Sequence, residues 1–250
     1  EELKKDKLLD NTIIIFFADN GRLDARGIHW CWDSGLHVPM IIWYPKGIEA
    51  PQQIAPGRVD DQVYSLLDIA ATTLWIAGIP KPFGMQSRVF LGSNSDSPRS
   101  YAFAARDRID ETQVRLRSVH DNRYHYIRNF TPGAGFQTLN RYKEKCFLVK
   151  PLMRDLYAEG KLSGPPADLM KPFPNEMLYD TYSDPHEINN IVDSKNQEHQ
   201  DALNRLRAAL DTWMVSTNDR GHIPEPQELV DEFSKEMHDW FGTPDWVQEK

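Results

Sequence analysis

The feature that most constrains the fold is a short apolar run near the N-terminus that ends in a polar turn. Residues 11–17 read Asn-Thr-Ile-Ile-Ile-Phe-Phe, and Asp19-Asn20-Gly21 follows after a single alanine. A continuous run of β-branched and aromatic residues of this length is typical of a strand buried on both faces, as in a parallel α/β sheet. Asn-Gly is a strong turn signal. We therefore expect a central strand with polar side chains at its carboxyl end.

The next elements extend the same α/β pattern to about residue 92. Residues 38–44, Val-Pro-Met-Ile-Ile-Trp-Tyr, predict a second buried strand. Apolar residues recur at helical spacing over residues 63–76. Gly78 and Pro80 stand where the end of that helix is expected. The sequence thus predicts that residues 1–92 belong to a large mixed-sheet domain with flanking helices.

A polar stretch at residues 93–100, Ser-Asn-Ser-Asp-Ser-Pro-Arg-Ser, marks the predicted boundary of a smaller α+β domain. Three segments predict strands of an antiparallel sheet, at residues 101–105, 113–119 and 124–129, and residues 177–179 are a candidate for a further strand. Val114 and Leu116 alternate with Arg115 and Arg117, which predicts one buried face and one solvated face.

The C-terminal part of the sequence contains its clearest helix. Leu203, Leu206, Leu210 and Trp213 form one apolar stripe within residues 201–214. We expect this helix to close a domain of residues 93–226. The remaining residues, 227–250, are acidic and predict a tail on the surface or on a partner.

Composition excludes several classes of protein. Hydrophobic residues make up 40% and charged residues 26%, which is ordinary for a globular chain. The net charge of -8 argues against a general nucleic-acid binder. No apolar run approaches the ~20 residues of a membrane span. Cys31 and Cys146 form no CxxC pair, so a zinc finger is not expected.

Asp19 and Asn20 are candidate metal ligands. They place a carboxylate and a carboxamide at the end of a predicted strand, where open α/β sheets hold their ligands. Such hard oxygen donors suit Ca²⁺ or Mg²⁺. The residues alone leave a plain turn as the alternative.

The order and spacing of several segments resemble the sulfatase family, and the likeness runs from about Leu9 to Pro226. The Asp-Asn-Gly strand is followed by Trp32-Asp33-Ser34-Gly35, then Val-Pro-Met-Ile, and then a helix that ends in Ala-Gly and Gln86-Ser87-Arg88. Further segments resemble the small C-terminal domain of the same family, at residues 104–119, 124–130, 176–191 and 209–226. The resemblance implies an alkaline-phosphatase-like sulfatase fold, of which this chain would be the C-terminal portion.

The resemblance also implies a mechanism and a setting. Sulfatases cleave sulfate esters, or N-sulfate, with a formylglycine made from a Cys or Ser in a Cys/Ser-x-Pro/Ala-x-Arg motif of their N-terminal half. A Ca²⁺ ion, with Mg²⁺ less expected, is held by two N-terminal aspartates and by a later pair that matches Asp19 and Asn20. The implied partner is a sulfated carbohydrate, and the implied location is periplasmic or secreted.

This sequence departs from the family pattern at one position that matters for chemistry. Ile28 stands where the family has a lysine that binds sulfate. Arg26 or His29 could substitute as donors to an anion, or both could be ordinary loop residues. Neither cysteine stands in the nucleophile motif, so we expect this chain alone to be inactive. A catalytically inactive sulfatase-like binding module is the alternative.

Two arginines complete the predicted site. Arg106 and Arg108 stand on the first strand of the small domain, which in the resembling family lies near the active-site rim. They could contact substrate, or they could pair with Asp110 or Glu111 within the domain. A phosphodiesterase or phosphomutase is a second rival, but Asp19 itself does not begin an Asp-x-x-x-His ligand set. We also expect poor solubility, because the strand at 11–17 would lack neighbours on one side.

Overall fold

The computed structural model describes residues 1–23, 25–45, 57–92 and 95–247. The chain forms two compact units: unit 1 contains Glu1–Asn20 and His37–Ala102, and unit 2 contains Gly21–Leu36 and Phe103–Lys250. The segment Gly21–Leu36 therefore groups with the C-terminal residues. The predicted domains, 1–92, 93–226 and 227–250, stay predictions, because compact units of a chain need not coincide with its domains.

Unit 1 contains a two-stranded sheet and one longer helix. Its elements in chain order are α1 (Glu2–Lys5), a 3₁₀ turn (Leu9–Asn11), β1 (Ile14–Phe17), β2 (Met40–Trp43) and α3 (Leu67–Ile76). Both predicted strands and the predicted helix are present. β1 pairs with β2 antiparallel, with Phe16 opposite Ile41, which is compatible with the predicted mixed sheet.

The sheet of unit 1 corrects the expectation that its strands are buried on both faces. Ile14 and Phe16 lie on the same face as Trp43 and Ile41, their partners in the register. All four side chains are exposed, by 36, 59, 37 and 62% respectively. Among the described residues this sheet has two strands and nothing covers that face. Sequence pattern predicted the strands, and the prediction of burial failed because burial depends on what packs against them.

A buried carboxylate organises the rest of unit 1. Asp68, in the first turn of α3, is 1% exposed and accepts two hydrogen bonds from the Arg99 guanidinium, at 2.6 and 2.5 Å. The same carboxylate accepts from the backbone N–H of Arg88 at 2.8 Å and of Ser65 at 3.2 Å. One side chain thus ties the helix to three surrounding segments, because a bidentate arginine and two amides satisfy its oxygens.

Unit 2 contains a four-stranded sheet in the order β3-β4-β5-β6. The strands are β3 (Ala102–Ile109), β4 (Thr112–His120), β5 (Tyr124–Asn129) and β6 (Glu176–Asp180), which confirms the three predicted strands and the candidate for a further one. β5 runs antiparallel to both of its neighbours. Val114, Leu116 and Ile127 are fully buried, so one face of the sheet forms a dry core.

Helices surround this sheet. They are α2 (Asp33–Leu36), α4 (Arg141–Cys146), α5 (Val149–Ala158), α6 (Pro165–Leu169), α7 (Gln197–Ser216) and α8 (Gln227–Phe241). α7 confirms the predicted C-terminal helix and buries Leu203, Leu206 and Leu210. The described part of the predicted tail contains α8, which packs on α4 and buries Val230 and Met237. None of the described helices is both long and apolar enough to span a bilayer.

α7 explains a second correction. It packs against β4, on the face that the alternation of arginines predicted to be solvated. Arg117 is 2% exposed there, and its guanidinium bonds Asp107 at 3.0 Å and Asp219 at 2.9 Å. The arginines of β4 mark a face that is covered by an ion-paired layer, which alternation alone cannot distinguish from a wet face.

Two tryptophans of the segment Gly21–Leu36 enter the core of unit 2. Trp30 and Trp32 are 5 and 2% exposed and pack edge-on against Phe173, with ring centroids 5.3 and 4.9 Å away. Both rings therefore belong to the hydrophobic core of unit 2. Cys31 between them is also buried, which raises its pKa to about 12, whereas Cys146 is exposed.

Candidate functional site

The predicted metal ligands lie in the turn that follows β1. Asp19 is exposed and Asn20 is partly buried. Among the described residues no group of three or more His, Cys, Asp or Glu side chains is arranged to hold a metal. Their oxygens suit Ca²⁺ chemically, but Ca²⁺ takes 6–8 oxygen ligands. Asp19 and Asn20 could therefore supply part of a coordination sphere, and the remaining ligands would have to come from elsewhere.

The segment Gly21–Leu36 contains three of the residues discussed as sulfate contacts, and its shape depends on glycine. The backbone N–H of Gly21 donates to the Gly35 carbonyl at 3.0 Å, which closes the segment into a loop. A Cβ on Gly35 would lie 2.4 Å from the carbonyl oxygen of Gly27, and one on Gly21 would lie 2.0 Å from that of Ser34. Only glycine permits these backbone approaches.

Arg26 forms hydrogen bonds with the turn that precedes α7. Its guanidinium donates to the carbonyl of Glu187 at 2.8 Å and to that of His186 at 2.5 Å. The carboxylate of Glu187, 1% exposed, contacts the His125 imidazole at 2.5 Å and accepts from the Asp33 N–H at 2.7 Å. Glu187 therefore ties both Arg26 and Asp33 of the loop to β5.

His29 and Ile28 lie where the loop meets α4. His29 has a φ of +80°, which a non-glycine residue rarely adopts. Burial, with help from Lys143 and Arg106, lowers the pKa of His29 to about 4, so its imidazole is neutral near pH 7. The Lys143 ammonium donates to the Ile28 carbonyl at 3.0 Å. A lysine from another helix thus contacts the backbone of the position where the family pattern has its own lysine.

In the structure Arg106 lies next to His29, another of the residues predicted to contact substrate. Arg106 is 5% exposed and donates to the carbonyls of His29 and, at 3.0 Å, of Val114. Its guanidinium lies 4.0 Å from the ring centroid of Trp30, and burial lowers its pKa to about 10. These contacts fix the loop on the sheet. No contact with a substrate is tested, so the substrate-binding role stays a prediction.

Arg108 contacts different residues from those that Arg106 contacts. It pairs with Glu225 at 2.8 Å, donates to the Asp110 carbonyl at 2.7 Å and stacks 3.7 Å from the ring centroid of Phe233. Arg108 therefore forms an ion pair within the small domain, which was the alternative to substrate contact. Its acidic partner is Glu225, however, and not the side chain of Asp110 or Glu111. Its predicted substrate contact is likewise untested.

A small cavity of about 10 Å³ adjoins the loop. The nine described residues that line it include three cations, Arg106, Lys143 and Lys150, together with His29, Trp30, Thr112, Phe136, Thr138 and Asn140. Lys143 and Lys150 are 7 and 4% exposed, and burial lowers the pKa of each to about 8. Sequence analysis missed both lysines and Glu187, because contacts such as Lys143 to Ile28 span 115 positions and leave no local pattern.

Comparison with known proteins identifies the family. The family model described as Sulfatase matches residues 1–79. The "Ulvan-active sulfatase" of Formosa agariphila is 39% identical over 92% of this chain and 37% of its own length. The "N-sulphoglucosamine sulphohydrolase" of Homo sapiens is 27% identical over 88% of this chain and 44% of its own length.

A solved structure has a similar fold. The structure described as a complex with its substrate D-glucosamine-2-N,6-O-disulfate aligns with a TM-score of 0.60, at 19% identity. The alignment covers 89% of this chain and 38% of that one. This chain thus spans less than half the length of the relatives it matches. The predicted alkaline-phosphatase-like α/β fold is confirmed, and the chain is a sulfatase-family sequence that resembles a C-terminal portion of these proteins.

Proposed function

We propose that this chain is part of a sulfatase that hydrolyses sulfate esters, or N-sulfate, on a sulfated carbohydrate. The observation that carries the proposal is 39% identity to an ulvan-active sulfatase across nearly the entire chain. Two relatives with lower identity are described by names or titles that also refer to sulfated sugars. A shared substrate chemistry among relatives of different identity supports the class of substrate, and the particular polysaccharide is part of the proposal.

The proposed catalytic contribution of this chain is half of a Ca²⁺ site at Asp19 and Asn20. A bound Ca²⁺ would neutralise the charge of the sulfate group and polarise its S–O bonds. The chain's own residues would orient that ion from the end of β1. Neither cysteine of this sequence stands in the formylglycine motif, so the proposed nucleophile comes from another segment of the protein. The location that we propose, from the family alone, is periplasmic or secreted.

A second candidate, an inactive carbohydrate-binding module, is favoured by one observation. Ile28 offers no charge or donor where a sulfatase lysine is expected, and loss of one such preorganised contact costs ~10²–10³ in rate. The two candidates share a sulfated ligand and differ in turnover.

Sulfate release by the protein isolated from its natural source tests the proposal. We expect release from a sulfated polysaccharide that a calcium chelator abolishes, and an intact mass that shows the aldehyde form of a Cys or Ser. Asp19→Asn should lower the rate by at least about tenfold, whereas Asp10→Asn, an exposed carboxylate in the 3₁₀ turn, should not change it. Binding of the polysaccharide without release would replace the sulfatase by the binding module.

A further inference from the structure

The cavity beside the loop has an unusual balance of charge. Arg106, Lys143 and Lys150 line it, and none of its nine described lining residues is acidic. Two buried carboxylates act on Lys150, and each is shared with an arginine. Glu144 approaches Lys150 at 3.4 Å but also contacts Arg154 at 2.7 Å, and Glu111 pairs with Arg141 at 3.3 Å. Asp110 accepts from Asn140 at 2.8 Å and only partly offsets the cations. Three buried cations thus surround one small space with less than matching negative charge.

Such an arrangement is costly unless something neutralises it. A buried ion that lacks a partner loses its hydration without compensation. Each lysine has one hydrogen bond to a backbone carbonyl, Lys143 to Ile28 at 3.0 Å and Lys150 to Thr138 at 2.7 Å. An ammonium carries three donors, so neither lysine is saturated by the carbonyl it contacts. The cations therefore retain unused capacity to bind an anion.

Two further polar atoms of the lining residues lack a partner. The indole Nε1 of Trp30 is buried without a hydrogen-bond acceptor, and Trp30 is itself 5% exposed. The Nδ1 of His29 is also buried and unpartnered. An indole N–H is only a donor, and a neutral imidazole offers one N–H. Buried donors without partners are rare in folded proteins, and they commonly indicate a bound water or ion.

We propose that this cavity binds one small monovalent anion, of the charge and size of chloride. Its ligands are the Lys143 and Lys150 ammonium groups and the Arg106 guanidinium, with the Trp30 indole N–H as a neutral donor. A volume of about 10 Å³ holds roughly one water-sized particle, which excludes a sugar sulfate. The anion links α4 and α5 to the loop Gly21–Leu36, and this role does not depend on the proposed sulfatase activity.

Crystals of the unaltered chain grown or soaked in sodium bromide provide the direct test. Bromide scatters anomalously, so we expect an anomalous peak between Lys143, Lys150 and Arg106. A peak-free cavity that contains an ordinary water overturns the proposal. Because this measurement uses the unaltered protein, it does not depend on whether any variant folds.

Thermal melting at constant ionic strength provides the second test. We expect a melting temperature about 3 °C higher in sodium chloride than in sodium gluconate, because an ion that binds only the native state stabilises it. Lys143→Met should abolish that difference, and Lys145→Met, an exposed lysine of the same helix, should keep it. Equal melting temperatures in the two salts for the unaltered chain, or stabilisation by sulfate in place of chloride, overturn the proposal.

Discussion

The two sheets of this chain contain similar apolar side chains, which are exposed in one sheet and buried in the other. In unit 1, Phe16 and Ile41 face each other across β1 and β2 and are 59 and 62% exposed. In unit 2, Ile127 and Leu116 lie on neighbouring strands and are fully buried. The difference lies in what covers each sheet, because both sequences are rich in β-branched and aromatic residues. The apolar pattern of a strand therefore predicts the strand itself. Whether its side chains are buried depends on which other elements pack against the sheet.

The sharpest test of this comparison uses the same substitution in both sheets. Ile127→Ala should lower the free energy of unfolding by about 4 kcal/mol, because it removes buried methyl groups and leaves a cavity. Ile41→Ala should change it by less than about 0.5 kcal/mol, because that side chain already contacts solvent. Urea denaturation of both variants measures the difference. Equal losses would show that Ile41 is buried in solution and would break the comparison.

Unit 1 has few buried apolar side chains, so its helix should depend on the Asp68 carboxylate. Asp68→Asn removes the charge that holds Arg99 and leaves an amide nitrogen that cannot accept from the Arg88 N–H. We expect a loss of about 3 kcal/mol in the local stability of α3. Hydrogen exchange of the α3 amides should therefore be about 100-fold faster.

The matched control is Asp61→Asn, which changes an exposed carboxylate of the same unit. Its α3 amides should exchange at the unaltered rate. If Asp68→Asn behaves like this control, the polar network is not what holds α3, and unit 1 must depend on apolar contacts as unit 2 does.

Unit 2 buries more of its side chains, including two lysines whose burial should make the stability of the protein depend on pH. Burial and neighbouring cations lower the pKa of Lys143 from 10.5 to about 8, and burial does the same to Lys150. Above pH 8 the unfolded chain therefore binds more protons than the native chain, so stability rises with pH in that range. After allowance for solvent screening, the gain between pH 7.5 and pH 9 is about 1 kcal/mol.

Denaturation curves over that narrow range measure the gain. The range ends at pH 9 because Cys31 acts in the opposite direction increasingly as the pH approaches and passes that value: burial raises its pKa from 9.0 to about 12, so the unfolded thiol loses its proton first. The double variant Lys143→Met with Lys150→Met should lose the pH dependence, and Lys145→Met should retain it. A flat profile for the unaltered chain would mean that both lysines are charged at pH 7.5 to 9 in each state.

The sequence predicted the strands and two of the longer helices of this fold correctly, but it did not predict which faces of the two sheets are buried. The strands, α3 and α7 follow from hydrophobic periodicity, which is a local property. The antiparallel pairing of β1, the exposure of its apolar face and the burial of Arg117 depend on elements far away in sequence. The candidate site divides in the same way: Asp19, Asn20 and Arg106 were identified from motifs that resemble a family. Lys143, Lys150 and Glu187 were missed because only the folded chain brings them to the loop.

The exposed face of unit 1 yields the smallest effect on stability and the most direct effect on solution behaviour. Phe16→Thr combined with Ile41→Thr replaces a cross-strand apolar pair by residues that also favour strands. The free energy of unfolding should change by less than about 1 kcal/mol, because both side chains are exposed. Self-association should fall clearly, because a large exposed apolar patch on a two-stranded sheet drives aggregation.

Sedimentation velocity at several protein concentrations measures this effect, with Val215→Thr as a control. Val215 is 83% exposed near the end of the helix α7 and is not part of a strand, so its replacement should leave self-association unchanged. If the unaltered chain is already monodisperse at high concentration, the poor solubility expected from the sequence is wrong. The exposed face of unit 1 would then be tolerated in solution as it stands, and the contrast between the two sheets would concern packing alone.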